Sequence, residues 1–210
     1  MTRQRLTRAE KSAHTRAQLM ASARQLFLRR GFHAASLELV AEEAGFTIGA
    51  VYSRFGSKAD LFLAILDEHI DRIVTGVAEV AATHQPLGTH AELLAGRRMD
   101  LLEREREWFP LVLEFWSHAA RDERLQREFA GRHERLVGAY AGLIEADYAR
   151  LGLPLPLAPE VLARAVVAMG NGVALERLAD PGRVPEGLLS TMAVAFLRGV
   201  AAEGPAEGRS

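Results

Sequence analysis

Within residues 47–58 the chain places four hydroxyls (Thr47, Tyr52, Ser53, Ser57) and two cations (Arg54, Lys58) among small residues (Gly49, Ala50). Hydroxyls and amines near helix starts suit phosphate oxygens, and a planar guanidinium suits the paired acceptors of guanine. Glycine and alanine let a helix backbone approach a groove floor, and an alanine methyl can touch that of thymine. Such a set suits DNA binding better than catalysis. The chain has no cysteine, no His-x-x-x-His or His-Glu pair at metal spacing, and no Gly-x-Ser-x-Gly or phosphate-cradling glycine loop. Its seven histidines (14, 33, 69, 84, 90, 118, 133) are scattered. No catalytic residue, metal site or cofactor is expected.

The pattern around these residues says how they are held. Leu37, Val40, Ala41 and Ala44 recur at helical spacing, so one short helix buries that face. Gly45 supplies a tight turn, and Thr47 is a good N-cap for a second short helix over 48–55, with Val51 and Phe55 pointing inward. Two helices joined by a short glycine-containing turn make a helix-turn-helix, whose second helix can enter the major groove. Ser57-x-x-Asp60 reads as the cap of a following helix.

The chain as a whole reads as all-α, with about nine helices and no strand signal. Residues 1–8 are polar, basic and expected to be disordered. Thr7-x-x-Glu10 caps a first helix with Leu19, Met20, Ala23, Leu26 and Phe27 inward, ended by Gly31; Ser36 caps the next. Gln85–Gly88 is a break before a capping box at Thr89-x-x-Glu92, and Gly152 ends a long helix from Arg121. Pro159 opens another helix, and a last one begins near Pro185 and ends by Gly204. This divides into a head that carries the helix-turn-helix, residues 1–57, and a helical body, residues 58–204.

Charge divides at nearly the same place. The formal net charge is only −1, yet residues 1–60 hold ten Lys/Arg against five Asp/Glu, and the rest holds 16 against 22. A basic head on an acidic body is the footprint of nucleic-acid binding. No apolar run approaches the roughly 20 residues needed to span a bilayer, and the charged start does not resemble a secretory signal. A cytoplasmic location without membrane attachment is the expectation.

The ordered set Phe27…Gly31-Phe32, Ser36, Val40-Ala41, Ala44-Gly45, Gly49-Ala50-Val51-Tyr52, Phe55, Ser57-Lys58 and Leu61 closely resembles the DNA-binding head of the TetR family of bacterial transcriptional regulators. The resemblance covers residues 15–66, about a quarter of the chain. It implies a homodimer on a near-palindromic double-stranded operator, with a small-molecule effector bound in the body. Carried over by position, it sets Ile48, Gly49, Ala50, Ser53 and Arg54 toward base edges, and Ser36, Thr47, Tyr52 and Lys58 toward phosphates.

The body offers two further readings. Residues 108–119 (WFPLVLEFWSHA) hold both tryptophans and present an apolar arc of about 200°. That arc suits either a helix buried between layers or an aromatic cavity. Under the second reading Trp108, Phe109, Phe115, Trp116 and Met169 line the cavity, and His133, Tyr140 or Asn171 supplies polar contacts. The helices near 160–178 and 186–202 are apolar and rich in small residues, which suits a self-complementary four-helix dimer bundle. The function expected is a repressor released from DNA by a small apolar or amphipathic molecule. The alternatives are a helical small-molecule-binding protein without DNA binding, and a ligand-independent regulator or activator of the same family.

Overall fold

A sharp break near the end of the first helix organises the N-terminal region. In the computed structural model, which describes residues 7–203, α1 (Arg8–Ala34) starts on the expected capping box of Thr7 and Glu10. Gly31 (φ 75°, ψ 170°) interrupts it without ending it, and the helix resumes to Ala34. The expectation of disorder over 1–8 falls, for residues 1–6, outside the described residues. Then follow α2 (Leu37–Ala44), α3 (Ile48–Tyr52), α4 (Lys58–Ala81), α5 (Leu87–Arg104), α6 (Trp108–Ala119), α7 (Glu123–Leu151), α8 (Pro159–Ala179) and α9 (Leu188–Glu203). The described residues are thus all-α.

Caps explain most boundaries. Ser36 and Thr47 accept from Leu39 N and Ala50 N at 3.3 Å each, and Gly45 closes α2 in the left-handed conformation. Gly152 (φ 65°) follows α7, and Pro159 occupies the first turn of α8. Some expected ends move. The second helix of the motif is regular only to Tyr52, after which Arg54 N and Phe55 N donate to Val51 O in a closing turn. Helix α5 begins at Leu87 without a side-chain cap, so Thr89-x-x-Glu92 falls inside the helix. Gly187 (φ 73°) delays α9 to Leu188.

The fold comprises two compact units, and the first is not contiguous in sequence. It takes the chain up to His69 together with Pro110–Phe129; the second takes Ile70–Phe109 and the chain from Ala130 onward. The boundary expected at 57/58 therefore falls inside the first unit.

In the first unit Phe27, Phe32, Phe62 and Phe115 are fully buried around one another. Phe62 stacks on Phe115 at 4.3 Å, and Phe32 meets Phe62 and Phe115 edge-on at 5.5 and 5.1 Å. Beside them, the break at Gly31 leaves helix groups without intrahelical partners. The Glu114 carboxylate accepts from Phe32 N and His33 N, both at 2.9 Å. On the carbonyl side, the Lys58 ammonium donates to Phe32 O (2.7 Å), Ala35 O (2.9 Å) and His33 O (3.1 Å). Burial pushes the Lys58 amine below its usual pKa, and Glu114 opposes that shift.

The second unit packs Val77, Leu87, Val137, Ile144, Leu162, Ala193 and Leu197 around Tyr148, whose hydroxyl donates to Leu197 O at 3.2 Å. Its apolar positions recur every three or four residues along each helix, as the sequence pattern requires.

Gly31→Ala is expected to destabilise the protein by roughly 1–3 kcal/mol, because a residue with a Cβ is strained at this positive φ. The added Cβ would also lie 2.8 Å from Glu114 Oε2. Thermal or urea unfolding measures the loss, and an unchanged midpoint would contradict this account of the kink.

Candidate functional site

Helix α3 turns a small, polar surface outward. Val51 and Phe55 are buried, whereas Thr47, Ile48, Gly49, Tyr52 and Ser53 are exposed, Tyr52 by 52%. Ser36 and Thr47 use a hydroxyl oxygen to accept a cap bond. Thr47 keeps its O–H to donate, so capping and phosphate binding are compatible in that side chain, whereas the Ser36 O–H is engaged by the Glu38 carboxylate. Ser53 and Arg54 are turned back: Ser53 Oγ donates to Ala50 O at 3.1 Å, and Arg54 Nη1 donates to the same carbonyl at 3.0 Å. Arg16 covers the Phe55 ring at 4.5 Å. Lys58 spends its donors on the end of α1, as described above. Tyr52 and Thr47 are therefore the exposed donors and Ser36 is half-buried; Arg54 engages Nη1 and leaves Nε without a partner among the described residues, while Lys58 would have to exchange partners to reach DNA.

At the start of α4, Ser57 donates to Asp60 Oδ2 at 2.7 Å and accepts from Asp60 N at 3.1 Å, forming the expected cap. Arg124 donates to Asp60 Oδ1 at 2.9 Å. Burial works against ionising Asp60, but the hydrogen bonds from Ser57 and Arg124 outweigh it and hold the carboxyl below its ordinary value.

The second unit contains a narrow apolar cavity of about 60 Å³ between α5, α7, α8 and α9. Leu94, Ala95, Leu143, Val166, Val167 and Leu189 form much of its wall, and His90, Arg98, Tyr140, Asp147 and Asn171 are its polar lining. A wider space of about 380 Å³ shares Ile73, Leu94, Arg98 and Tyr140 with it and adds Arg72, Arg97 and Arg104.

His90 and Asp147 are fully buried, with Asp147 Oδ2 2.8 Å from His90 Nδ1. On the other ring nitrogen, Nε2 accepts from Gln85 N at 3.1 Å and lies 3.2 Å from Thr83 Oγ1. These are hydroxyl–imidazole–carboxylate distances, but the protons are committed elsewhere. Gln85 N–H occupies the Nε2 lone pair, so the ring proton sits on Nδ1 toward Asp147, and the Thr83 hydroxyl donates to Val80 O at 2.7 Å. Arg150 pairs with Asp147 and also donates to Gln85 O at 2.7 Å. The group works as a clamp between the α4–α5 turn and α7.

Two family models match, that of bacterial regulatory proteins of the TetR family over residues 19–65 and that of the BetI-type transcriptional repressor C-terminal region over residues 91–202. The chain belongs to the TetR family. Among curated TetR relatives, the chain is 32% identical over 99 residues to the transcriptional activator FasR of Mycolicibacterium smegmatis, covering 47% of this chain and 45% of that one. It is 37% identical over 91 residues to the transcriptional regulator TtgR of Pseudomonas putida, covering 40% and 41%. The chain thus spans under half the length of these relatives. Salmonella enterica GusR shares the fold with a TM-score of 0.72 at 21% identity, over 94% of this chain and 98% of that one. Bacillus subtilis FadR, solved with stearoyl-CoA, does so with 0.71 at 14% identity, over 86% and 96%.

Within this TetR fold, the expected effector residues separate. Tyr140 and Asn171 line the cavity. Phe115 belongs to the aromatic core of the first unit, and Trp116, 45% exposed, stacks on Phe129 at 5.5 Å. Trp108 and Phe109 are buried outside the lining, with Phe109 5.9 Å from the Arg98 guanidinium carbon. Met169 packs near Ala95, Val173 and Leu189. His133 is partly buried elsewhere on α7, and burial together with Arg164 lowers its pKa. Of the aromatic residues in the wide arc of α6, Trp108, Phe109 and Phe115 are buried and Trp116 is exposed.

Sequence reasoning missed Arg98, His90 and Asp147. The signal was present: Leu87, Ala91, Leu94 and Ala95 form a helical stripe that Arg98 continues. Asp147 similarly continues Tyr140, Leu143 and Ile144. A charged residue at the next position of an apolar stripe points into the same space as the stripe.

Tyr52→Phe is expected to weaken operator binding about two- to tenfold, the worth of one hydrogen bond, with unchanged thermal stability. Lys58→Met should lower the melting temperature, because the carbonyls of Phe32, His33 and Ala35 lose their donor. Gel shifts paired with melting curves separate the two, and a Lys58→Met protein of unchanged stability would refute the capping role. Asp60→Asn should destabilise the protein at neutral pH. Because the folded-state pKa is depressed, that difference should be full above about 3.9 and fade as pH falls through the lower folded value.

Proposed function

We infer that this TetR-family protein is a cytoplasmic homodimeric repressor, released from a near-palindromic operator by a small apolar or amphipathic effector. The carrying observation is the pairing of an outward-facing, capped recognition helix with an apolar cavity that has few polar groups. Ser36, Thr47 and Tyr52 act on phosphates, while Ile48, Gly49 and Ala50 bring the backbone of α3 to the groove floor. Lys58 contacts DNA only after leaving its present partners, whereas Arg54 keeps guanidinium donors beyond the Nη1 bonds to Ala50 and Ser53.

Helices α8 and α9 expose Val161, Leu175, Leu178 and Met192, an apolar surface that suits a self-complementary interface. A dimer presents two recognition helices to successive half-sites. The effector acts by preferring a conformation whose two heads no longer match that spacing, so DNA affinity falls by the ligand's differential preference. The relative FasR is named an activator, which supports a second reading in which the same geometry raises transcription.

A gel shift with the DNA upstream of the protein's own gene tests DNA binding. A salt-sensitive shift by the unliganded dimer is expected, and no shift at low salt would favour a ligand-binding protein without DNA binding. Ala91→Phe, which fills the cavity, should keep the shift and lose release by effector. Release that persists in this variant would remove the cavity from the mechanism.

A further inference from the structure

The charged groups of the second unit are unequally provided for. Asp147 is met by His90 and Arg150. Around the wider space, Arg72 faces Glu105 at 3.4 Å, Arg97 faces Glu79 at 2.7 Å and Arg104 faces Asp100 at 3.9 Å. Arg98 is the exception. It stands where the narrow cavity and the wider space meet, and its one hydrogen bond among the described residues goes to Asn171 Oδ1, a neutral acceptor, at 3.2 Å. Behind it lies the Phe109 ring. A guanidinium carries five donors in a planar fork, and withdrawing it from water without a counter-charge is costly. Burial does depress the Arg98 pKa, and the nearby Tyr140 opposes that shift.

We propose that Arg98 is the anchor for the carboxylate of an effector whose apolar tail fills the narrow cavity. This assignment rests on the cavity being the effector site and specifies the class of effector. Three observations converge on an apolar acid. The lining is mostly aliphatic, so it takes a slim hydrocarbon, and its buried His90 and Asp147 are committed to each other. Around the wider space Glu105, Glu79 and Asp100 offset Arg72, Arg97 and Arg104, which leaves the charge of Arg98 unmatched, so the site favours an anion and disfavours an amine. Tyr140 lines both spaces, and burial raises its pKa, so its hydroxyl stays protonated and can donate to the second carboxylate oxygen. The fork of Arg98 matches a carboxylate in the bidentate manner that a hydroxyl cannot return. Asn171 and Phe109 hold the guanidinium at this boundary and so act as positioning residues.

The test is displacement of N-phenyl-1-naphthylamine, an uncharged fluorescent probe of apolar cavities, from the full-length protein. Competitors are hexanoate, octanoate and decanoate, with the matching alcohols and octylammonium. The best acid should displace the dye at a concentration at least about tenfold below that of its alcohol, with octylammonium weakest. Arg98→Met should abolish or reverse the preference for the acid while still binding the alcohol, and Arg98→Lys should keep part of it. Dye binding that the acid and alcohol displace equally, or an Arg98→Met protein that still prefers the acid, overturns the assignment and leaves the cavity reading standing. Failure of dye, acids and alcohols alike to bind, by fluorescence and by calorimetry, overturns both.

Discussion

The first unit depends on how one broken helix is capped from two sides. At Gly31 the α1 backbone leaves helical geometry, and both kinds of orphaned peptide group must find partners. Glu114 takes the N–H side and Lys58 takes the carbonyl side. The two side chains come from α6 and α4, so opposite charges from distant parts of the chain meet on a single turn. Phe32, immediately after the break, carries its ring into the group formed by Phe27, Phe62 and Phe115. Backbone satisfaction and aromatic packing thus fix the same three helices, and α2 and α3 are laid on that frame.

How much of this could be read from the sequence depended on range. Local rules found the capping box at Thr7, the caps at Ser36 and Thr47, the left-handed Gly45 and the inward face of α1, because each involves neighbours within a turn. The exposed face of α3 followed from the same spacing. What stayed hidden was long-range. That Lys58 is a cap for residues 32–35 depends on a partner more than 20 positions away. Phe115 and Trp116 belong to one aromatic run, yet one is core and the other stacks at the surface on Phe129. Helical periodicity gives a direction for each side chain but not the neighbour waiting there.

The second unit shows the same limit from the opposite side. Tyr140 and Asn171 were legible as polar contacts, but its His90, Arg98 and Asp147 only as interruptions of a stripe that called for an aliphatic residue. In space they become two different things. His90, Asp147 and Arg150 form a satisfied network that ties the α4–α5 turn to α7. Arg98 faces the shared opening with only an amide oxygen for company. A buried charge with its partners in place stiffens a fold, whereas one without them is a cost that binding can offset.

The reach of the first unit into residues 110–129 limits how far the head can be treated as a cassette. Cutting after the recognition helix would take away Phe62 and Phe115, two of the four rings at its centre, together with both residues that cap the break in α1. A five-residue helix such as α3 has no stability of its own to fall back on. Swapping operator specificity between relatives by exchanging only the first sixty residues would therefore pair each graft with a foreign Glu114 and Phe115. The transferable unit is the discontinuous one, a helix-turn-helix that carries its piece of the body with it.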